Sequence, residues 1–213
     1  ATITVEGDGC NVVEVDAEDF ELGWGIWNDG GADARRTTND AAFANSGIYT
    51  IRLRDNSTSS HMTTDILDLS SFEEITVDFS FIAVSMDNLT EDFWLRVSTD
   101  GGASYTTVGQ WRKDIEFEND VRYFEQVTIP GPFTANTRLR FQCDASTNSD
   151  WVYIDDVIIT GCTTGGASGL VVSNESSLNL APSAVKDFSE KESSTKVNQM
   201  GDLAEVLVFP NPT

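Results

Sequence analysis

Residues 1–162 carry ten basic side chains, and nine of them are arginines. Their spacing is informative, because side chains alternate sides along an extended chain. In YTIRLR (49–54), Ile51 and Leu53 take one side and Arg52 and Arg54 the other. In FWLRVS (93–98), Phe93, Leu95 and Val97 point inward, so Trp94 and Arg96 point out. TRLRFQC (137–143) turns Arg138 and Arg140 outward, and WVYIDDV (151–157) does the same with Trp151 and Tyr153. Guanidinium forks match the paired oxygens of sulfate or carboxylate groups. Indole and phenol rings take the apolar faces of sugar rings. The chemistry expected of these residues is therefore capture of an acidic polysaccharide, on one face bearing Trp94, Arg96, Arg52, Arg54 and Trp151. Arg35-Arg36, in a Gly/Asp/Thr loop, and Trp111, before the charged run RKDIEFEND, are further recognition spots. The competing reading pairs the outward arginines across strands with acids such as Asp78 and Glu125.

A second chemistry lies in the acids. Asp155 and Asp156 sit inside a run of Val, Ile and Tyr. A buried carboxylate needs a partner, and a cation supplies one; exposure at a strand end, or pairing with arginine, is the alternative. The acidic stretch SMDNLTEDF (85–93) reads as a polar loop, with a second cation site as the other option. Ser98-Thr-Asp-Gly-Gly-Ala-Ser-Tyr105 matches the Asp-box pattern, in which Asp100 hydrogen-bonds a turn and the glycines supply positive φ. His61 is the one histidine; in NSTSSHM it reads as a surface-loop residue with no nucleophile pattern beside it.

Other chemistries lack their residues. The chain has no phosphate-binding glycine loop, no GxSxG elbow and no His/Cys set spaced for zinc. With 35 acids against 13 bases the formal charge is −22, which excludes binding to a nucleic-acid backbone. It does not exclude a local basic face, since the field at a contact outweighs the sum. Glycosidase action needs two carboxylates set around a sugar, but acids are so abundant here that their presence argues nothing. No apolar stretch is long enough to span a membrane as a helix.

The elements that must position these residues are strands. Period-two runs recur at 49–54, 74–84, 93–98, 105–111, 123–129, 137–143 and 151–160, separated by Asp-Asn, Gly-Gly, Pro-Gly-Pro and Asn-Ser-Asp turns, and no helix of ten residues stands out. The spacing predicts an all-β fold, a two-sheet antiparallel β-sandwich or jelly roll. It spans residues 1–162. Aromatics nearly vanish over 163–205, where Ser, Gly and Thr dominate, so this stretch reads as a flexible linker and C-terminal tail. An apolar run returns at 206–213. Cys10 and Cys162 flank the strand-rich region, and a bridge between them would contribute about 4–5 kcal/mol by closing so long a loop. Three reduced thiols in a cytosolic protein are the alternative. Cys143, in phase with Leu139 and Phe141, reads as a buried hydrophobe.

Four segments in order, DFELGWGIWNDGG (19–31), ANSGIYTIRLRD (44–55), DFWLRVSTDGGASY (92–105) and WVYIDDVIITGC (151–162), resemble the MAM-like and carbohydrate-binding-module jelly rolls of secreted marine and gut Bacteroidetes proteins. The resemblance covers about residues 10–162. It implies a secreted or cell-surface, non-catalytic module that binds polysaccharide beside a catalytic domain of the same parent chain. MAM-like domains also serve in adhesion, the second functional reading; a jelly-roll lyase or glycosidase is the third. The resemblance further implies a structural calcium held by Glu21 of the FE motif and Asp155 of the IDD motif, with Asn39, Asp40 and Asn45 from the adjoining loop. VFPNPT (208–213) resembles the opening of the sorting domain used in type IX secretion, which in that family continues for several more strands, so the chain reads as a fragment of a longer secreted protein.

Overall fold

A computed structural model describes residues 10–38 and 40–163. The linker stretch, the VFPNPT motif and Asn39 lie outside the described residues. Eleven strands run in order: β1 (Asn11–Glu18), β2 (Trp27–Asp29), β3 (Ala34–Thr37), β4 (Thr50–Arg54), β5 (His61–Thr64), β6 (Glu74–Val84), β7 (Asp92–Ser98), β8 (Thr106–Arg112), β9 (Arg122–Pro130), β10 (Arg138–Asp144) and β11 (Trp151–Thr163). One sheet has the order β3-β4-β11-β6-β9, with β1 also on β11; the other is β2-β5-β10-β7-β8. Neighbours pair antiparallel in both. The fold is the all-β sandwich that the period-two runs predict.

The inward residues of that alternation form the core. Ile51, Leu53, Val77, Phe81, Phe93, Leu95, Leu139, Phe141, Val152 and Ile154 are all buried between the sheets. Each such side chain contributes about 1.5–3 kcal/mol by leaving water. Trp111 belongs here. Its ring stacks on Phe93 at 4.8 Å and meets Phe79 edge-on at 5.2 Å, because the β7–β8 register places Trp111 opposite Phe93. The surface role expected of Trp111 is thus corrected: it is a core residue.

β11 organises the first sheet. Its first part, Trp151–Ile154, pairs with β4, and its last part, Val157–Thr163, pairs with β1. β6 runs along its other side throughout. The register shifts between Asp155 and Ile158, and Asp156 adopts φ 49°. A bulge there lets one strand serve two partners in turn. Cys10 and Cys162 are disulfide-bonded, with 5.4 Å between their Cα atoms, tying the start of β1 to the end of β11.

Four strands are not evident in the sequence: β1, β2, β3 and β5. Two of them correct site expectations. Arg35 and Arg36 lie on β3, paired to β4, and not in a loop. His61 opens β5, not a surface loop. Among the described residues, no helix is long and apolar enough to cross a membrane.

Candidate functional site

The outward arginines fall on two opposite faces. This corrects the single face expected for Trp94, Arg96, Arg52, Arg54 and Trp151: β4 and β11 share one sheet, β7 and β10 the other.

On the first sheet the arginines are used within the chain. Arg54 pairs with Asp33 at 3.0 Å, and Asp33 also accepts from Ser57 and Ser59. Arg52 pairs with Asp40 at 3.4 Å and lies 5.2 Å from the Trp151 ring. Arg36 donates to the carbonyls of Phe20 and Glu21 and stacks 3.4 Å over Tyr49. Arg122 donates to the carbonyls of Phe43 and Ala44, fastening the 41–44 segment onto the sheet. Phe43 then covers Tyr153 at 4.6 Å, so Tyr153 points outward as expected yet is fully buried. Trp151 is half-buried, its indole N–H donated to Asn148. Arg35 alone of this group is exposed. The cross-strand partners foreseen for these arginines are not the ones used; Asp78 instead accepts from Gln126.

The second sheet differs. β7 and β10 pair so that Arg140 faces Arg96, Gln142 faces Trp94, and Asp144 faces Asp92. Arg96 donates to Gln142 Oε1 at 2.8 Å and to the Tyr105 carbonyl at 3.2 Å. Arg138 donates to the Thr64 carbonyl at 2.6 Å. Arg140 donates to Thr63 Oγ1 and stacks 3.8 Å over the Tyr105 ring. Arg96 lies 5.7 Å from the Trp94 ring and 5.9 Å from that of Tyr105. Among the described residues none of these three guanidiniums has a carboxylate partner. Burial pulls Arg140 below its ordinary value, and the nearby Arg96 and Arg138 add to the pull. His61, opposite Gln142, falls to about 4 through burial and the Arg140 charge, so it is neutral at pH 7.

Tyr105, Gln142 and His61 belong to this face without having been expected on it. Tyr105 had a signal, as the closing aromatic of the Asp box. Asp100 accepts the Ser104 N–H at 3.0 Å and the Ser98 hydroxyl at 2.7 Å, and Gly101 and Gly102 take φ of 79° and 101°. The turn device delivers Tyr105 to the two arginines.

A second cluster gathers around the loop before β4. Glu21 accepts the N–H groups of Ile48 and Tyr49 at 2.8 and 2.6 Å. Asp155 accepts those of Asn45 and Ser46 at 2.6 and 3.3 Å. Asp156 takes the Asn45 amide and the Ser46 hydroxyl. Asp155 is fully buried, and burial raises its pKa to about 6. Glu21, Asp155 and Asn45 therefore converge on one loop, whereas Asp40 is turned toward Arg52. Among the described residues no three His, Cys, Asp or Glu side chains form a metal cage. The backbone groups shown at these carboxylates are N–H donors, three on Asp155 and two on Glu21. In the acidic 85–93 stretch, Glu91 accepts the N–H groups of Asp87, Asn88 and Ser146 and so clamps two loops.

No protein-family model matches the chain, and no curated protein matches it. Solved structures do. The CBM22-1 xylan-binding domain of Paenibacillus barcinonensis Xyn10C aligns with a TM-score of 0.52 and 12% identity, over 74% of this chain and 99% of that one. The K3 cleaved adhesin domain of the Porphyromonas gingivalis Lys-gingipain aligns at 0.50 and 18%, over 70% and 100%. The CBM22-1–GH10 modules of Clostridium thermocellum xylanase 10B align at 0.50 and 19%; the chain spans only 28% of that structure. The class this defines is the β-sandwich built by carbohydrate-binding modules and adhesin domains alike. At these identities the likeness is one of fold.

Proposed function

We propose that the chain is a non-catalytic carbohydrate-binding module whose second-sheet outer face holds an anionic, sulfated or uronic, algal-type polysaccharide. One observation carries this: Arg96, Arg138 and Arg140 cluster around Trp94 and Tyr105 with no carboxylate partner among the described residues, in a chain of net charge −22. A folded protein with so many acids keeps three arginines free of them at a cost that a bound anion offsets. The matched structures support the class: one is a xylan-binding domain and another a pair of xylanase modules complexed with xylohexaose. Tethering a secreted catalytic domain to its polymer raises the local concentration of catalyst. Affinity electrophoresis in gels containing fucan, carrageenan, alginate, agarose or laminarin tests the reading. The anionic gels should retard the protein, and Arg96→Ala should abolish the retardation while Arg54→Ala leaves it intact. Retardation by laminarin or agarose alone would leave a binding module and remove the anionic ligand.

We also propose that Glu21, Asp155 and Asn45 hold a structural calcium. The support is a fully buried carboxylate, Asp155, with no ion pair among the described residues, set against a second acid across the same loop. The alternative of an adhesion module in a surface protein or protease keeps one specific support, the full-length match to an adhesin domain. A glycan array that binds nothing while a protein ligand is retained would favour it.

A further inference from the structure

The second-sheet face is sorted by charge along its strands. Arg96 and Arg140 face each other in one row. Two residues along, Trp94 faces Gln142, flanked by His61 and Gln110. Two residues further, Asp92 faces Asp144. Successive rows are about 7 Å apart, so the arginine and carboxylate rows lie about 14 Å from each other. Exchanging the charges on one strand would give two cross-strand ion pairs; instead like faces like twice, which destabilises a sheet.

Among the described residues the carboxylate row makes no salt bridge. Arg112 stands opposite Asp92 but is bound by both oxygens of Glu116, at 2.6 and 3.0 Å. Asp92 is 6% exposed; one oxygen accepts from Gln110, and the Trp94 indole and the Arg112 charge also favour its carboxylate. Asp144 is half-exposed and makes no side-chain hydrogen bond or ion pair among the described residues.

Resting on the binding-face reading above, we infer that this face selects polysaccharides in which an anionic residue is followed by an uncharged one. The arginine row takes the anion. Trp94 and Gln142 take the neutral sugar. Asp144 accepts hydroxyl hydrogens at the far end, and with the buried Asp92 behind it repels a second anion. The ligand class is thus an alternating anionic–neutral polymer, bound in one direction, and Asp144 is its specificity-determining residue, with Asp92 adding charge from beneath.

Calorimetric titration with oligosaccharides of matched length separates the cases. The probes are an alternately sulfated carrageenan, a uniformly charged alginate and a neutral agarose oligosaccharide. The wild-type protein should bind the carrageenan about tenfold more tightly than the alginate, since a like charge held against a desolvated pair is strongly disfavoured. Asp144→Asn, and independently Asp144→Ser, should raise alginate affinity by about threefold or more and leave carrageenan affinity within about twofold. Equal binding of carrageenan and alginate by the wild type, or an equal gain for both in the variants, would overturn the charge-sorting inference and leave the binding face standing. Absence of binding to every polymer would overturn both.

Discussion

The Asp155 carboxyl permits a quantitative test of the calcium proposal. Burial raises its pKa from 3.8 to about 6 in the folded protein. The folded state therefore holds this proton more tightly than the unfolded state does. Its contribution is fully present below about pH 4 and is lost as pH rises through about 6. A shift of that size corresponds to about 3 kcal/mol, at about 1.4 kcal/mol per pH unit. In calcium-free protein, urea midpoints measured from pH 4 to 7.5 should fall along this window for the wild type relative to Asp155→Asn, which removes the titration. Calcium holds the carboxylate in its charged form and so reverses the sign. With calcium at a hundredfold excess over Kd, stability at pH 7 should rise by about 2.7 kcal/mol, and this gain should vanish in Asp155→Asn and Glu21→Gln. Identical curves with EDTA and with calcium, or a wild-type/variant difference that does not change between pH 4 and 6, would refute the reasoning.

Three further outcomes follow from the geometry. Replacing Cys10 and Cys162 by Ser should cost about 4–5 kcal/mol in urea melts under oxidising conditions, because the bridge closes a loop of separation 152. Gly47→Ala should destabilise by at least about 1–2 kcal/mol and weaken any calcium effect in the same thermal melts, since Gly47 sits at φ 56° and a Cβ there would lie 2.2 Å from the Glu21 carboxyl carbon. Arg140→Ala should leave the melting temperature nearly unchanged but flatten the salt dependence of polysaccharide affinity, as screening acts over about 8–10 Å near physiological salt.

The legible part of this protein was its alternation. Ile51 with Leu53, Phe93 with Leu95, and Leu139 with Phe141 fixed which side of each strand is core, and every arginine on those strands does point outward. Parity is a property of one strand and carries no information about which sheet the strand joins. That is why Arg52 and Arg96 were placed together although the sandwich sets them on opposite sides. Cover is equally invisible: Tyr153 points outward, but only the fold brings Phe43 over it. β3 and β5 are four residues each and rich in Arg, Thr and His, so their strand character comes from partners and not from an apolar period. Trp111 ends the expected run 105–111, and only the cross-strand register brings it onto Phe93 and Phe79 in the core. The rows of like charge on β7 and β10 needed the register, which no single segment encodes.

The central claim is that the second-sheet arginines hold the anionic groups of a polysaccharide. The most direct measurement titrates one sulfated polysaccharide and its chemically desulfated form against the wild-type protein and the Arg96→Ala/Arg140→Ala variant. The account predicts binding only between the wild type and the sulfated polymer, weakening as salt is raised. Equal affinity of the wild type for the desulfated polymer, or full binding by the double variant, would contradict it.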